Sequence, residues 1–135
     1  MVNFPPPECS RILFRAVLQS GWIGGKGRIR WQAFQRWPKD TDGVSLFYSS
    51  EAAERELSDP ISGMMTVHVG RVKDITDDEI SLDVVRDSAD HAVITGIPFK
   101  RDCDGNAELY GQMIALCRRL AETAARLYDP REETQ

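Results

Sequence analysis

The chain has few of the residues that usually announce an activity. Its 135 residues include two histidines and three cysteines. His68 and His91 lie far apart with no third ligand beside them, so the sequence predicts no metal site. Cys9, Cys103 and Cys117 are odd in number and form no Cys-x-x-Cys pair. That excludes a disulfide framework or a zinc knuckle and points to a reducing, cytoplasmic setting. There is no Gly-x-Gly-x-x-Gly, His-Glu-x-x-His or Gly-x-Ser-x-Gly, and Gly24-Gly25-Lys26-Gly27 has no Ser or Thr after its lysine. No apolar run approaches the roughly 20 residues that a membrane span needs. The opening Met-Val-Asn-Phe-Pro-Pro-Pro has neither the basic nor the apolar region of a secretion signal. With a net charge of −4 and one basic cluster at Lys26-Gly27-Arg28-Ile29-Arg30, the balance argues against binding to duplex nucleic acid.

What is present reads as one domain. A composition of 41% hydrophobic and 28% charged residues suits a chain able to bury a single core. The three consecutive prolines make residues 1–10 an extended lead-in, 11–129 form the domain and 130–135 a flexible tail. Strands are predicted at 11–18, 28–34, 44–48, 64–72, 80–84 and 91–95 from period-two alternation and β-branched runs. In the strand at 64–72, Met65, Val67 and Val69 share one face. A short helix is predicted over 51–57 with Ser50 as its cap, stopped by Asp59-Pro60. One long amphipathic helix is predicted from 106 to 128, capped by Asp104 or Asn106. Its stripe of Tyr110, Met113, Ile114, Cys117, Leu120, Ala121, Ala124 and Leu127 faces the sheet. The fold class is therefore α+β, a mixed or largely antiparallel sheet carrying a short central helix and a long C-terminal one.

Several residues could do chemistry. Arg15 sits in the apolar strand Leu13-Phe14-Arg15-Ala16-Val17 and must find an anion, an ion-pair partner or solvent, because an unpaired buried charge is very costly. Its planar fork suits pyrophosphate. Tyr48-Ser49-Ser50 ends a buried strand and opens an acidic helix, where hydroxyls and free N–H groups gather. Tyr48 could stack on a base or a nicotinamide ring, and a seryl hydroxyl could bond a ribose. Glu51, Glu54 and Glu56 follow, and a carboxylate near a ribose can stabilise an oxocarbenium-like centre. One imidazole beside a carboxylate suits general-base work, which keeps His68 and His91 in view. Cys117 lies within the apolar stripe, where a thiolate is suppressed.

Residues 11–72 resemble the front half of ADP-ribosyltransferase-fold proteins, nearest the RES-type bacterial toxins. The resemblance is carried by Arg15 after two apolar residues, the Gly27-Arg28-Ile29-Arg30-Trp31 segment, and Tyr48 at a strand end before Glu54 and Glu56. It implies binding of NAD as a substrate, with the glycosidic bond cleaved or ADP-ribose transferred. Arg15, Tyr48, Glu56 and Glu54 would then be catalytic, and Arg15, Arg28, Arg30, Ser49, Ser50 and His91 would hold the dinucleotide. Residues 83–128 resemble small bacterial proteins with a His-Ala-x-Ile-x-Gly-x-Pro segment, here His91 to Pro98, which implies no activity.

The competing reading is a non-enzymatic module that binds another protein, such as a toxin–antitoxin or defence-system partner. Trp22, Trp31 and Trp37, with the arginines between them, would be its anchors. The two readings differ in what they require of the fold. An enzyme needs Arg15 beside Tyr48, whereas a docking module needs the tryptophans on the surface.

Overall fold

The computed structural model describes residues 4–17, 20–24, 28–36, 43–56, 63–77 and 79–128. Strand β1 (Ile12–Ala16) supplies the pattern from which the sheet is built. Leu13 and Val17 are fully buried on one side of the chain, while Ile12 on the other is 49% exposed. β1 pairs with β2 (Val44–Phe47) on one flank and with β3 (Met64–His68) on the other. β7 (His91–Thr95) and β6 (Asp83–Arg86) extend the β2 side, and β8 (Ala125–Tyr128) closes the β3 side. The order is β6-β7-β2-β1-β3-β8, antiparallel throughout. A small hairpin of β4 (Thr76–Asp77) and β5 (Ile80–Ser81) stands apart.

Register carries the alternation across the sheet. Leu13 faces Val67, Val44 faces Ile94 and Leu46 faces Ala92, and all six are fully buried. This face joins Met113, Leu116, Cys117 and Leu120 of helix α3 (Ala107–Thr123) in one core. Two 3-10 turns, Trp31–Phe34 and Lys100–Cys103, and helix α2 (Val69–Lys73) complete the layer against which α3 packs. Buried residues outside that core, Ala16, Met64 and Val93, fall on the opposite face by period-two parity. Helix α1 (Ser50–Glu54) packs against β1, β2 and β3 and buries Ala52 and Ala53. Small side chains let so short a helix lie close to the strands.

Five expected elements came out differently, each for a local reason. The strand expected at 80–84 is divided between β5 and β6, because the Leu82 N–H between them donates to the Ile75 carbonyl at 3.2 Å and not to a ladder of the sheet. The strand expected at 28–34 is reduced to an isolated bridge, Ile23 to Ile29, followed by the 3-10 turn. Ala33 and Phe34 are consecutive and both fully buried, which a strand with one solvent-facing side cannot arrange. The strand expected at 64–72 ends at His68, whose Nδ1 accepts the Arg71 N–H at 3.4 Å and caps α2. The central helix runs 50–54, and its cap is Ser49 rather than Ser50: Ser49 Oγ accepts the Ala52 N–H at 3.1 Å. The long helix stops at Thr123, and 125–128 leave it to become β8. Without β8, β3 would present a row of unpaired backbone groups, and pairing outweighs the helical propensity of Ala-Ala-Arg-Leu.

Other expectations hold. β7 occupies 91–95, Met65 and Val67 share the core face, and Asn106 caps α3 by accepting the Leu109 N–H at 3.0 Å. Tyr110, expected in the stripe, is 39% exposed, and Leu116 takes a core place instead. The lead-in is tied to the body: Pro7 is buried, and the Cys9 carbonyl accepts the Gly70 N–H at 2.9 Å. The Gly-x-Pro exit of β7 also gains a reason. Gly96 has φ +102°, and a Cβ there would meet the Ser81 carbonyl oxygen at 2.4 Å. The expected tail, 130–135, lies outside the described residues.

The cap assignment can be tested by paired substitutions. Ser49→Ala should destabilise the protein by about 1 kcal/mol in urea unfolding, while Ser50→Ala stays within about 0.5 kcal/mol of wild type. The reverse order would return the cap to Ser50.

Candidate functional site

Arg15 points into the core face of the sheet and is 5% exposed. Its Nε donates to the Ala33 carbonyl and its Nη1 to the Ser45 carbonyl, both at 2.8 Å. The guanidinium also lies over the rings of Trp22 (5.1 Å) and Phe34 (5.5 Å). The expected recipients were an anion, an ion-pair partner or solvent. Among the described residues its contacts include carbonyl oxygens and aromatic faces, which a delocalised cation accepts at low desolvation cost. Here the arginine joins the 3-10 turn to β2.

Tyr48 has its own surroundings. Arg11 and Arg86 place their guanidinium carbons 4.8 and 4.2 Å from its ring centroid, and Phe4 lies 5.3 Å from Arg86. The Tyr48 hydroxyl is buried without a hydrogen-bond partner, and its N–H donates to the Asp90 carbonyl at 2.8 Å. His91 is close by in the β6–β7 hairpin, with Nδ1 2.7 Å from Asp87 Oδ1 and its ring edge-on to Phe47 at 5.1 Å. Ser49 is occupied as a cap and Ser50 opens α1 half-buried. Glu51, Glu54 and Glu56 are all exposed. The guanidiniums on Tyr48 are thus those of Arg11 and Arg86, not of Arg15.

Arg28 and Arg30 lead elsewhere. They line an open groove of about 840 Å³ between residues 28–32 and the last turns of α3, which contribute Arg118 and Glu122. Trp31 and Gln32 form part of its wall. All three arginines are exposed, and the ion pairs among the described residues, Lys73 with Asp83 and His91 with Asp87, involve none of them. Glu122 is one helical turn after Arg118 yet does not pair with it. The Gln32 Oε1 atom is buried and has no hydrogen-bond partner. A buried acceptor left in that state costs about 1–3 kcal/mol.

The groove exists because Arg15 holds the 3-10 turn on one side and α3 grips it on the other. Cys117 Sγ donates to the Phe34 carbonyl at 3.4 Å. Burial pushes the Cys117 thiol from its ordinary 9.0 up to about 12, with nearby Arg15 working in the opposite direction and Cys103 adding to the rise. Burial also raises the Cys103 thiol, helped by the carboxylates of Asp102 and Asp104. Neither thiol is disposed to act as a nucleophile at neutral pH.

The structure therefore divides the expected site residues into three places. Arg15 is in the core; Tyr48, Ser49, Ser50 and His91 are at the β2–β7 end, with Glu54 and Glu56 farther along α1; Arg28 and Arg30 are in the groove. The docking reading loses one of its anchors, since Trp22 is 3% exposed within the core, whereas Trp31 packs half-buried against the core and lines the groove. Trp37 lies outside the described residues. Sequence reasoning missed Gln32, Arg118 and Glu122. Spacing gave no signal for them, because an arginine and a glutamate on a helix's outer face look solvated until another segment comes beside them.

Two measurements test this arrangement. Arg15→Met and Arg15→Lys should each lower unfolding free energy by about 2–4 kcal/mol, since neither side chain serves both carbonyls. The stability that wild type gains over Cys117→Ala from its thiol should be complete below pH 9.0 and decline towards pH 12. Over that window the unfolded chain releases the thiol proton and the folded chain keeps it, so rising pH favours unfolding. A difference that does not change with pH would mean that the thiol titrates normally. Comparison with protein-family models, with curated proteins and with solved structures finds no match, so the meaning of the groove rests on its geometry.

Proposed function

We propose that the protein binds a phosphate-bearing nucleotide, with NAD as the working example, in the groove between residues 28–32 and the end of α3. The observation that carries this reading is the convergence of Arg28, Arg30 and Arg118 from distant parts of the chain, with no carboxylate among the described residues ion-paired to any of them. Guanidiniums match phosphate oxygens in charge and in the spacing of their N–H groups. At about 840 Å³ the groove lies within the range of small-molecule sites. The half-buried indole of Trp31 offers a stacking surface. Glu122 supplies a carboxylate that can accept from ribose hydroxyls.

This keeps Arg28 and Arg30 as ligand-binding residues and adds Arg118. It gives Arg15 an indirect role, holding the turn that forms one wall. Cleavage of a bound dinucleotide is a further step, and Glu122 is the carboxylate placed to stabilise positive charge developing at the ribose.

Calorimetric titration of the full chain with NAD, ADP and inorganic pyrophosphate tests the proposal. Saturable binding that weakens as salt rises is expected, because exposed charges are screened. Arg28→Gln, Arg30→Gln and Arg118→Gln should each reduce affinity by about tenfold or more, the value of one charge-assisted hydrogen bond. Absence of binding by all three compounds would overturn the proposal. Chromatography of the NAD sample for free nicotinamide, with Glu122→Gln alongside, separates binding from turnover.

A further inference from the structure

Gln32 is the groove residue that phosphate binding leaves unused. It sits within the 3-10 turn beside Ala33 and Phe34, whose complete burial anchors the backbone there. Its Oε1 is buried without a donor, and no hydrogen bond to a described residue occupies the rest of its amide. Native folds satisfy nearly all buried acceptors, so each exception calls for a cause, and a missing ligand is one.

A carboxamide offers an acceptor and a donor pair on neighbouring atoms. That set complements the edge of adenine, which presents the N6 amine as donor beside N7 as acceptor. Hypoxanthine and guanine carry O6 in place of the amine, so two acceptors would meet there. The terminal torsion of glutamine is soft, which lets the amide turn towards a ligand while the 3-10 turn stays in place. Trp31, the preceding residue in the same wall, provides a ring face against which a base can lie.

We infer that Gln32 selects adenine nucleotides over oxopurine nucleotides, its Oε1 accepting from N6–H and its Nε2 donating to N7. The inference rests on the nucleotide-binding reading of the groove and deepens it from a charge class to a base. Gln32 in this role sets specificity, while Arg28, Arg30 and Arg118 supply affinity common to all phosphorylated ligands.

Calorimetry of the full chain with ADP, IDP, 7-deaza-ADP and inorganic pyrophosphate tests it. Wild type should bind ADP about tenfold or more tighter than IDP, and 7-deaza-ADP, which lacks the N7 acceptor, should fall between them. Gln32→Leu should bring ADP down to the IDP level and leave pyrophosphate unchanged. Equal binding of ADP and IDP by wild type, or discrimination that survives Gln32→Leu, would overturn the inference and leave nucleotide binding standing. Failure of all four compounds to bind would overturn both. The 7-deaza-ADP comparison needs no variant, so it decides the matter even where Gln32→Leu does not fold.

Discussion

The Arg15 guanidinium is the contact on which the arrangement of this protein turns. It is a cation placed on the apolar face of a sheet, 5% exposed, and it donates to carbonyls from two different segments. β1 and β2 share a single register pair, Phe14 with Phe47, so beyond that point the Ser45 carbonyl is met by a side chain. The Ala33 carbonyl, in a turn with no strand partner, is met in the same way. Each such charge-assisted bond contributes about 1.5–3 kcal/mol, and losing the cation would leave buried acceptors unmet.

The next layer follows from that contact. With the 3-10 turn held against the sheet, Phe34 fills the core, and its carbonyl receives the Cys117 thiol of α3. Sheet, turn and helix are stacked in that order. The outer side of the same turn then faces the outer side of the same helix, and there the Arg28, Arg30 and Arg118 side chains come to share a groove. The cationic surface is a consequence of how the core is fastened. An arginine with a structural role thus positions arginines available to a ligand.

At the opposite end of β2, Tyr48 illustrates how one residue type serves different ends according to its neighbours. Its ring lies against Arg11 and Arg86, and the adjoining His91–Asp87 pair fastens the β6–β7 hairpin. The strand-to-helix junction is consumed by capping and by ring contacts. Much of this was legible beforehand: the cap chemistry of a Ser-Ser-Glu start, β7 at its expected bounds, the core face of Met65 and Val67, the stripe of α3. What could not be read locally were the 3-10 turn at 31–34, where two adjacent residues had to be buried, and β8, which exists because β3 needed a partner.

The sequence by itself determined the α+β class, the alternation that separates the two faces of the sheet, and the helical stripe containing Met113, Cys117 and Leu120. These depend on the spacing of apolar residues along the chain, and spacing is a local property. Only the tertiary structure decided that Arg15 would reach the Ala33 and Ser45 carbonyls, that Trp22 would be core, and that Arg118, Glu122 and Gln32 would stand with Arg28 and Arg30. Those outcomes depend on which distant segments bury each other's backbone, and no pattern within a single segment encodes the identity of its neighbour.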